Sequence, residues 1–200
     1  MEHLNNKSAL IIVDMQNFFY GKEPCIPIVK YKNLIDNIIH LIELVRNRNI
    51  PIIWTRAHHE NLGDTIYQEL NPYHFKNGEP IFTKKSVHFD IIDELRIYIN
   101  KEDIFIDKDK YSAFYNTNLN TILREKEIKT LIFTGVTTNI CVESTIRDAF
   151  EYDYSPILIS DCTSSLNEKF EQFSIDIIKA VFGFVISLQE FEKNLNENQP

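Results

Sequence analysis

Three residues far apart in the chain, Asp14, Lys108 and Cys141, have the side-chain types of a hydrolytic site. Cys141 follows Gly135-Val136-Thr137-Thr138-Asn139-Ile140, a short turn beyond an apolar run, where a segment of helical period begins. Free backbone N–H groups and the dipole at a helix start favour thiolate, and cysteines so placed have pKa values lowered to roughly 3.5–7.5. The same amides suit the oxyanion formed when a thiolate attacks a carbonyl. Composition alone would make the residue a small buried hydrophobe. Asp14 ends the apolar run 9–13, where a carboxylate is costly unless it is solvated, paired or used. A helix cap or loop hydrogen bond would account for it equally well. Lys108 stands in Asp107-Lys108-Asp109-Lys110, in isolation a solvated charged turn. Together the three carry more weight, because cysteine nucleophilic catalysis needs a base for the thiol and a cation to hold the charged pair.

The elements that must position them are legible as alternating apolar runs and helical segments, the pattern of repeated β-α units. Strands are expected over 9–13, 52–55, 104–106, 131–135, 157–160 and 184–186, each uninterrupted, as in a parallel sheet buried on both faces. Helical spacing is clearest at Leu34, Ile38, Leu41, Ile42 and Val45 and again at Phe170, Phe173, Ile177 and Val181. Further helices are expected over 90–99, 119–126 and 139–150. The reading is one α/β domain over residues 1–200, with a frayed polar tail at 194–200. Residues 57–85, irregular and polar, suit a long loop or lid over a site. Ligands gather at the carboxyl ends of such strands, where Asp14, Lys108 and Cys141 all fall.

Composition excludes several alternatives. Five glycines in 200 residues, none closer than 15 positions, cannot build a phosphate cradle or dinucleotide fingerprint. A net charge of −8 opposes nucleic acid and anionic membrane and suits a small-molecule substrate. Cys25, Cys141 and Cys162 form an odd, widely spaced set without a C-x-x-C pair, which points to a reducing cytoplasm rather than disulfides or a zinc ribbon. No apolar run reaches the length of a membrane helix or a signal core. Phosphate chemistry of the aspartyl type fails at Gln16, where a second aspartate would be required.

The blocks Leu10-Ile11-Ile12-Val13-Asp14-Met15-Gln16-Asn17-Phe18-Phe19, Lys108-Asp109-Lys110-Tyr111-Ser112-Ala113-Phe114 and Gly135-Val136-Thr137-Thr138-Asn139-Ile140-Cys141-Val142 resemble the isochorismatase-like cysteine hydrolases, in family order, over residues 8–187. The resemblance implies a three-layer α/β/α fold, a mostly parallel six-stranded sheet and a triad of Asp14, Lys108 and Cys141. Lys110, where relatives often carry arginine, is then a neighbour. A cis peptide between Val136 and Thr137 is also implied, with the amides of Thr137 and Cys141 as the oxyanion hole.

Nicotinamidases of that superfamily bind zinc through an Asp-x-His pair after the second strand, but Ala57 takes the aspartate position here while His59 remains. His58, His59, His74 and His88 leave a metal open; the expectation is a metal-free, cofactor-free site. Phe19, Arg56, His58, His59, Tyr111, Phe114 and Val136 are the expected pocket residues. The resemblance implies an amidohydrolase acting on a small amide, ureido or carbamoyl compound through a thioester on Cys141, working as a dimer or larger homo-oligomer. The alternatives are an isochorismate-type vinyl ether hydrolase, a nicotinamidase, or a non-catalytic member of the fold.

Overall fold

Runs without polar interruption become strands, largely buried on both faces in the centre of the sheet, whereas the expectation of two buried faces fails at the edge strands over 104–108 and 184–186, where Phe105 and Phe184 are exposed because no further strand or layer covers them. The computed structural model describes residues 7–20, 24–26, 28, 31–60, 63 and 65–197. Its main sheet comprises β1 (Ser8–Val13), β2 (Ile52–Ala57), β3 (Ile104–Lys108), β4 (Thr130–Val136), β5 (Ser155–Ser164) and β6 (Phe184–Ile186). These lie in the order β3-β2-β1-β4-β5-β6. Every pairing is parallel, so the expectation of a mostly parallel sheet is sharpened to a wholly parallel one.

The helices are α1 (Tyr31–Arg46), α2 (Thr65–Leu70), α3 (Asp93–Arg96), α4 (Leu119–Glu125), α5 (Glu143–Glu151), α6 (Glu168–Ile177) and α7 (Leu188–Glu197). Because side chains alternate across a strand, β1 feeds two cores at once. Leu10 and Ile12 pack with Ile38 and Leu41 of α1 and Phe191 of α7. Ala9, Ile11 and Val13 pack on the opposite face with Leu119 and Leu123 of α4 and Ile146 of α5. Three layers follow directly.

Four expectations need correction. The helix expected over 90–99 shrinks to α3 behind a single 3-10 turn at Val87–Phe89, since Gln16 and Ile91 form a β-bridge that keeps the chain extended between them. Helix α7 continues to Glu197 with Leu195 buried against the sheet, so 194–197 are not frayed; 198–200 lie outside the described residues. Phe170, Phe173 and Val181 face outward, at 59%, 67% and 57% exposure. The inner face of that segment is instead Glu171, Ser174 and Ile178, because its hydrogen bonds reach the loops around the strand ends. Finally, the 57–85 segment is not structureless. It holds α2, a 3-10 turn at Pro72–His74 and a two-strand hairpin of Phe75–Lys76 with Glu79–Pro80, with 61, 62 and 64 outside the described residues. Phe82 seats it, fully buried and stacked on Phe18 with ring centroids 4.0 Å apart.

Strand order reverses between β1 and β4, the crevice where open α/β sheets take ligands. Gly135 permits that pairing. Its φ is +106°, and a Cβ there would lie 2.1 Å from the Val13 carbonyl oxygen. Gly135→Ala should therefore destabilise the fold by about 2 kcal/mol or more, lowering Tm by roughly 5 °C in a thermal melt. An unchanged Tm would contradict the close approach of these backbones.

Candidate active site

Asp14 is the first residue beyond β1 and takes a left-handed φ of 50°, a conformation that short polar side chains tolerate. The turn aims its carboxylate across the strand ends. Oδ1 accepts from Thr55 Oγ1 at 2.6 Å, and Oδ2 lies 2.6 Å from Lys108 Nζ. Both ionic side chains are wholly buried. Lys108 comes from β3, two strands away, and its cross-strand neighbour is Ala57 of β2. A methyl at that position leaves the space above β2 to the lysine chain, and Nζ also donates to the Lys110 carbonyl at 3.1 Å. Gln16 locks the strand ends together: its amide oxygen accepts from Ala57 N at 2.8 Å, and its Nε2 donates to the carbonyls of Ala57 and Phe89.

Cys141 arrives from β4. The peptide Val136–Thr137 is cis, and the chain then makes a wide π turn over Thr138–Val142, with Val142 N donating to Thr137 O at 3.2 Å. Such one-residue expansions of a helix recur at functional sites. The expected helix over 139–150 is thus a π turn followed by α5. Thr163 holds the turn from β5, donating to Gly135 O at 2.9 Å and pairing with the Thr138 hydroxyl at 2.8 Å. Thr145 ties the Cys141 carbonyl to the amide of Ala113.

The structure brings Asp14, Lys108 and Cys141 together in one buried cluster, where both charged groups act on the thiol. Burial pushes the Cys141 thiol up to about 12; Lys108 pulls it down and Asp14 pushes it further up. The helix-start expectation of a lowered value is therefore corrected: desolvation outweighs the helix terminus, and the resting group is a thiol facing a carboxylate. Burial works against the Lys108 ammonium, yet Asp14 and Cys141 raise it overall, so the lysine stays charged.

Cys141 opens into a pocket lined by Phe19, His59, Tyr111 and Thr137 among the expected residues. Arg56, His58, Phe114 and Val136 are not part of its wall. Arg56 pairs with Asp107 at 2.8 Å and sits over the rings of Phe89 and Phe105. Phe114 is buried against Tyr152 and Tyr154, and Val136 points into the α1 core. His58 packs edge-on to Phe89. With Ile26, Ile140 and Leu166 adding apolar surface, Asn71, Tyr73, His74 and Phe82, all from the 57–85 segment, also line the pocket. No sequence period marks them; only the expectation of a covering segment pointed their way.

The histidines do not fit a metal. Ala57 offers no ligand, His59 stacks on Tyr67, and His74 Nδ1 is engaged by the Tyr67 hydroxyl at 2.5 Å. Among the described residues no three His, Cys, Asp or Glu side chains are grouped to hold an ion.

The electrostatic arrangement is testable by alkylation. Iodoacetamide labelling of Cys141, followed by mass spectrometry, should stay slow at the pH where an ordinary thiol of pKa about 8.5 reacts and should keep rising towards pH 12, as expected of a thiol raised by burial. Asp14→Asn should move that profile to lower pH, because the carboxylate that opposes thiolate is gone. A profile that stayed in place or moved up would refute that opposition.

The family model described as the isochorismatase domain matches residues 8–190. Ureidoacrylate amidohydrolase RutB of Klebsiella pneumoniae is 31% identical, over 97% of this chain and 89% of that protein. A cysteine hydrolase from Pseudomonas syringae superposes with a TM-score of 0.87 at 26% identity, covering 98% of this chain and 95% of that one. N-carbamoylsarcosine amidase from Thermoplasma acidophilum superposes with a TM-score of 0.76 at 25% identity, covering 91% and 96% respectively. With the match running from β1 into α7 and the three strand-end residues converging on one buried cluster, the chain belongs to the isochorismatase family.

Proposed function

We propose that the protein is a cysteine hydrolase that cleaves the C–N bond of a small amide, ureido or carbamoyl compound, with Asp14, Lys108 and Cys141 as its catalytic triad. The observation that carries this is the buried thiol clustered with a carboxylate and an ammonium. A thiol held near 12 is a poor nucleophile until its proton leaves, and Asp14 is the acceptor within reach.

In the first half-reaction Asp14 takes the proton as Sγ attacks the carbonyl carbon. The oxyanion that forms meets the backbone amides of Thr137 and Cys141 at the mouth of the π turn. The C–N bond then breaks, and the amine leaves with the proton returned from Asp14, leaving an acyl or carbamoyl group on sulfur as a thioester. In the second half, water attacks that carbonyl while giving its proton to Asp14, and the thiol reforms as the C–S bond breaks. Lys108 orients Asp14 and offsets the negative charge shared by carboxylate and sulfur. Relatives named for ureidoacrylate and N-carbamoylsarcosine support the ureido and carbamoyl classes. The thiol also favours this chemistry over vinyl ether cleavage, which needs no nucleophilic sulfur.

A reducing, cytoplasmic setting belongs to the same reading, because a free thiol is the working group. Assembly into a dimer or larger homo-oligomer is supported by the outward Phe170 and Phe173 of α6, apolar area that a second copy would cover. Light scattering should then give at least twice the 23.6 kDa chain mass, and a monomer at micromolar concentration would remove that part.

Ammonia release should be screened against nicotinamide, ureidoacrylate-type, carbamoyl-amino-acid, biuret and maleamate-like compounds. Cys141→Ala should lose at least about 10³-fold in kcat with an unchanged circular dichroism spectrum, since loss of a nucleophile removes the covalent route altogether. Full turnover by that variant would sink the proposal.

A further inference from the structure

The pocket beside Cys141 is largely apolar, and among its few polar side chains Asn71 and His74 are held by neighbours in the wall. Asn71 donates to the carbonyl of Tyr67 at 3.1 Å and to the Tyr111 hydroxyl at 3.3 Å, and it accepts from the Tyr73 hydroxyl at 3.0 Å. His74 is engaged by Tyr67. His59 differs. It lines the pocket at 8% exposure, yet neither ring nitrogen has a hydrogen-bond partner among the described residues.

The ring is nonetheless fixed in place. Its backbone amide donates to Phe82 O at 2.7 Å, and the imidazole stacks on Tyr67 at 3.9 Å and on His74 at 5.1 Å, with the Phe82 ring 5.9 Å away. A ring held rigidly against the cavity with its nitrogens unengaged by the described residues is placed to meet a ligand. Burial first, then His74 and Lys108, push His59 down to about 2, so it is a neutral imidazole with one N–H. The ammonium groups of Lys108 and Lys110 lie close enough to oppose its charging. A ligand atom meeting the ring in that positive surrounding is best an oxygen.

We infer that His59 is a specificity-determining residue whose ring N–H hydrogen-bonds an acceptor oxygen on the substrate beyond the scissile carbonyl. The inference rests on the hydrolase reading for the word substrate, but it concerns binding and is measurable without turnover. A site built around such a bond discriminates against analogues that lack the oxygen, because the buried imidazole is then left unsatisfied.

Three ureas of equal length, 3-ureidopropionate, 3-ureidopropionamide and N-propylurea, end in a carboxylate, a carboxamide and a methyl group. Their Kd values should be measured by calorimetry on Cys141→Ala protein, with Cys141→Ser in reserve should the first fail to fold. The two oxygen-bearing ureas should bind at least about 10-fold more tightly than N-propylurea. Adding His59→Phe, which keeps the ring on Tyr67, should weaken those two by about 10-fold and leave N-propylurea within about twofold. His59→Gln, which restores an N–H, should recover part of the loss. A greater loss for the carboxylate, or for the carboxamide, tells which oxygen the site prefers and supports the inference either way. Equal weakening of all three, no weakening of any, or no binding of any probe would overturn it. Absence of ammonia release by intact enzyme alongside this binding pattern would instead count against the hydrolase reading alone.

Discussion

Everything else in the molecule is arranged around one buried ion pair. Asp14 and Lys108 sit 2.6 Å apart with no solvent on either side chain. Taking each ion out of water costs several kcal/mol, and their attraction compensates only when geometry and further hydrogen bonds are right. The further bonds are present: Thr55 on the carboxylate and the Lys110 carbonyl on the ammonium. Removal of either partner would strand a charge in an apolar interior, so the pair ties the candidate site to the fold itself.

The pair also dictates the use of the sheet. Its two members come from strands separated by a third, and the intervening position is Ala57. A larger side chain there would stand where the lysine chain crosses. The same alanine deprives the histidines of the carboxylate a zinc site would want. One small residue thus accounts for both the ion pair and the histidine wall left to other uses.

Much of this was readable from the chain alone. Uninterrupted runs marked the strands, though not that the two at the sheet edges leave Phe105 and Phe184 exposed, and Asp14, Lys108 and Cys141 stood out because each follows such a run. What escaped had physical causes. The three-and-four spacing of Phe170, Phe173 and Val181 shows that one face of a helix is apolar, but not that the protein interior takes the opposite face. Glu171 and Ser174 won that side because they bond to the backbone of Ser165 and Thr138 beside the Cys141 turn. The Cys141 pKa followed burial rather than helix position, and depth is invisible in a one-dimensional pattern. Asn71, Tyr73 and His74 come from a segment whose irregularity is the absence of any period to read.

The π turn at Thr138–Val142 places the thiol by counting residues. Each residue in a helical backbone advances the side-chain direction by about 100°. Deleting a single residue between Gly135 and Cys141 would swing the sulfur away from Asp14 and Lys108 while α5 kept its length and its contacts. Substitutions in this turn are therefore a matter of degree, but a change of length is all or nothing. Descendants of this chain can alter the pocket wall far more freely than they can alter how many residues lead into Cys141.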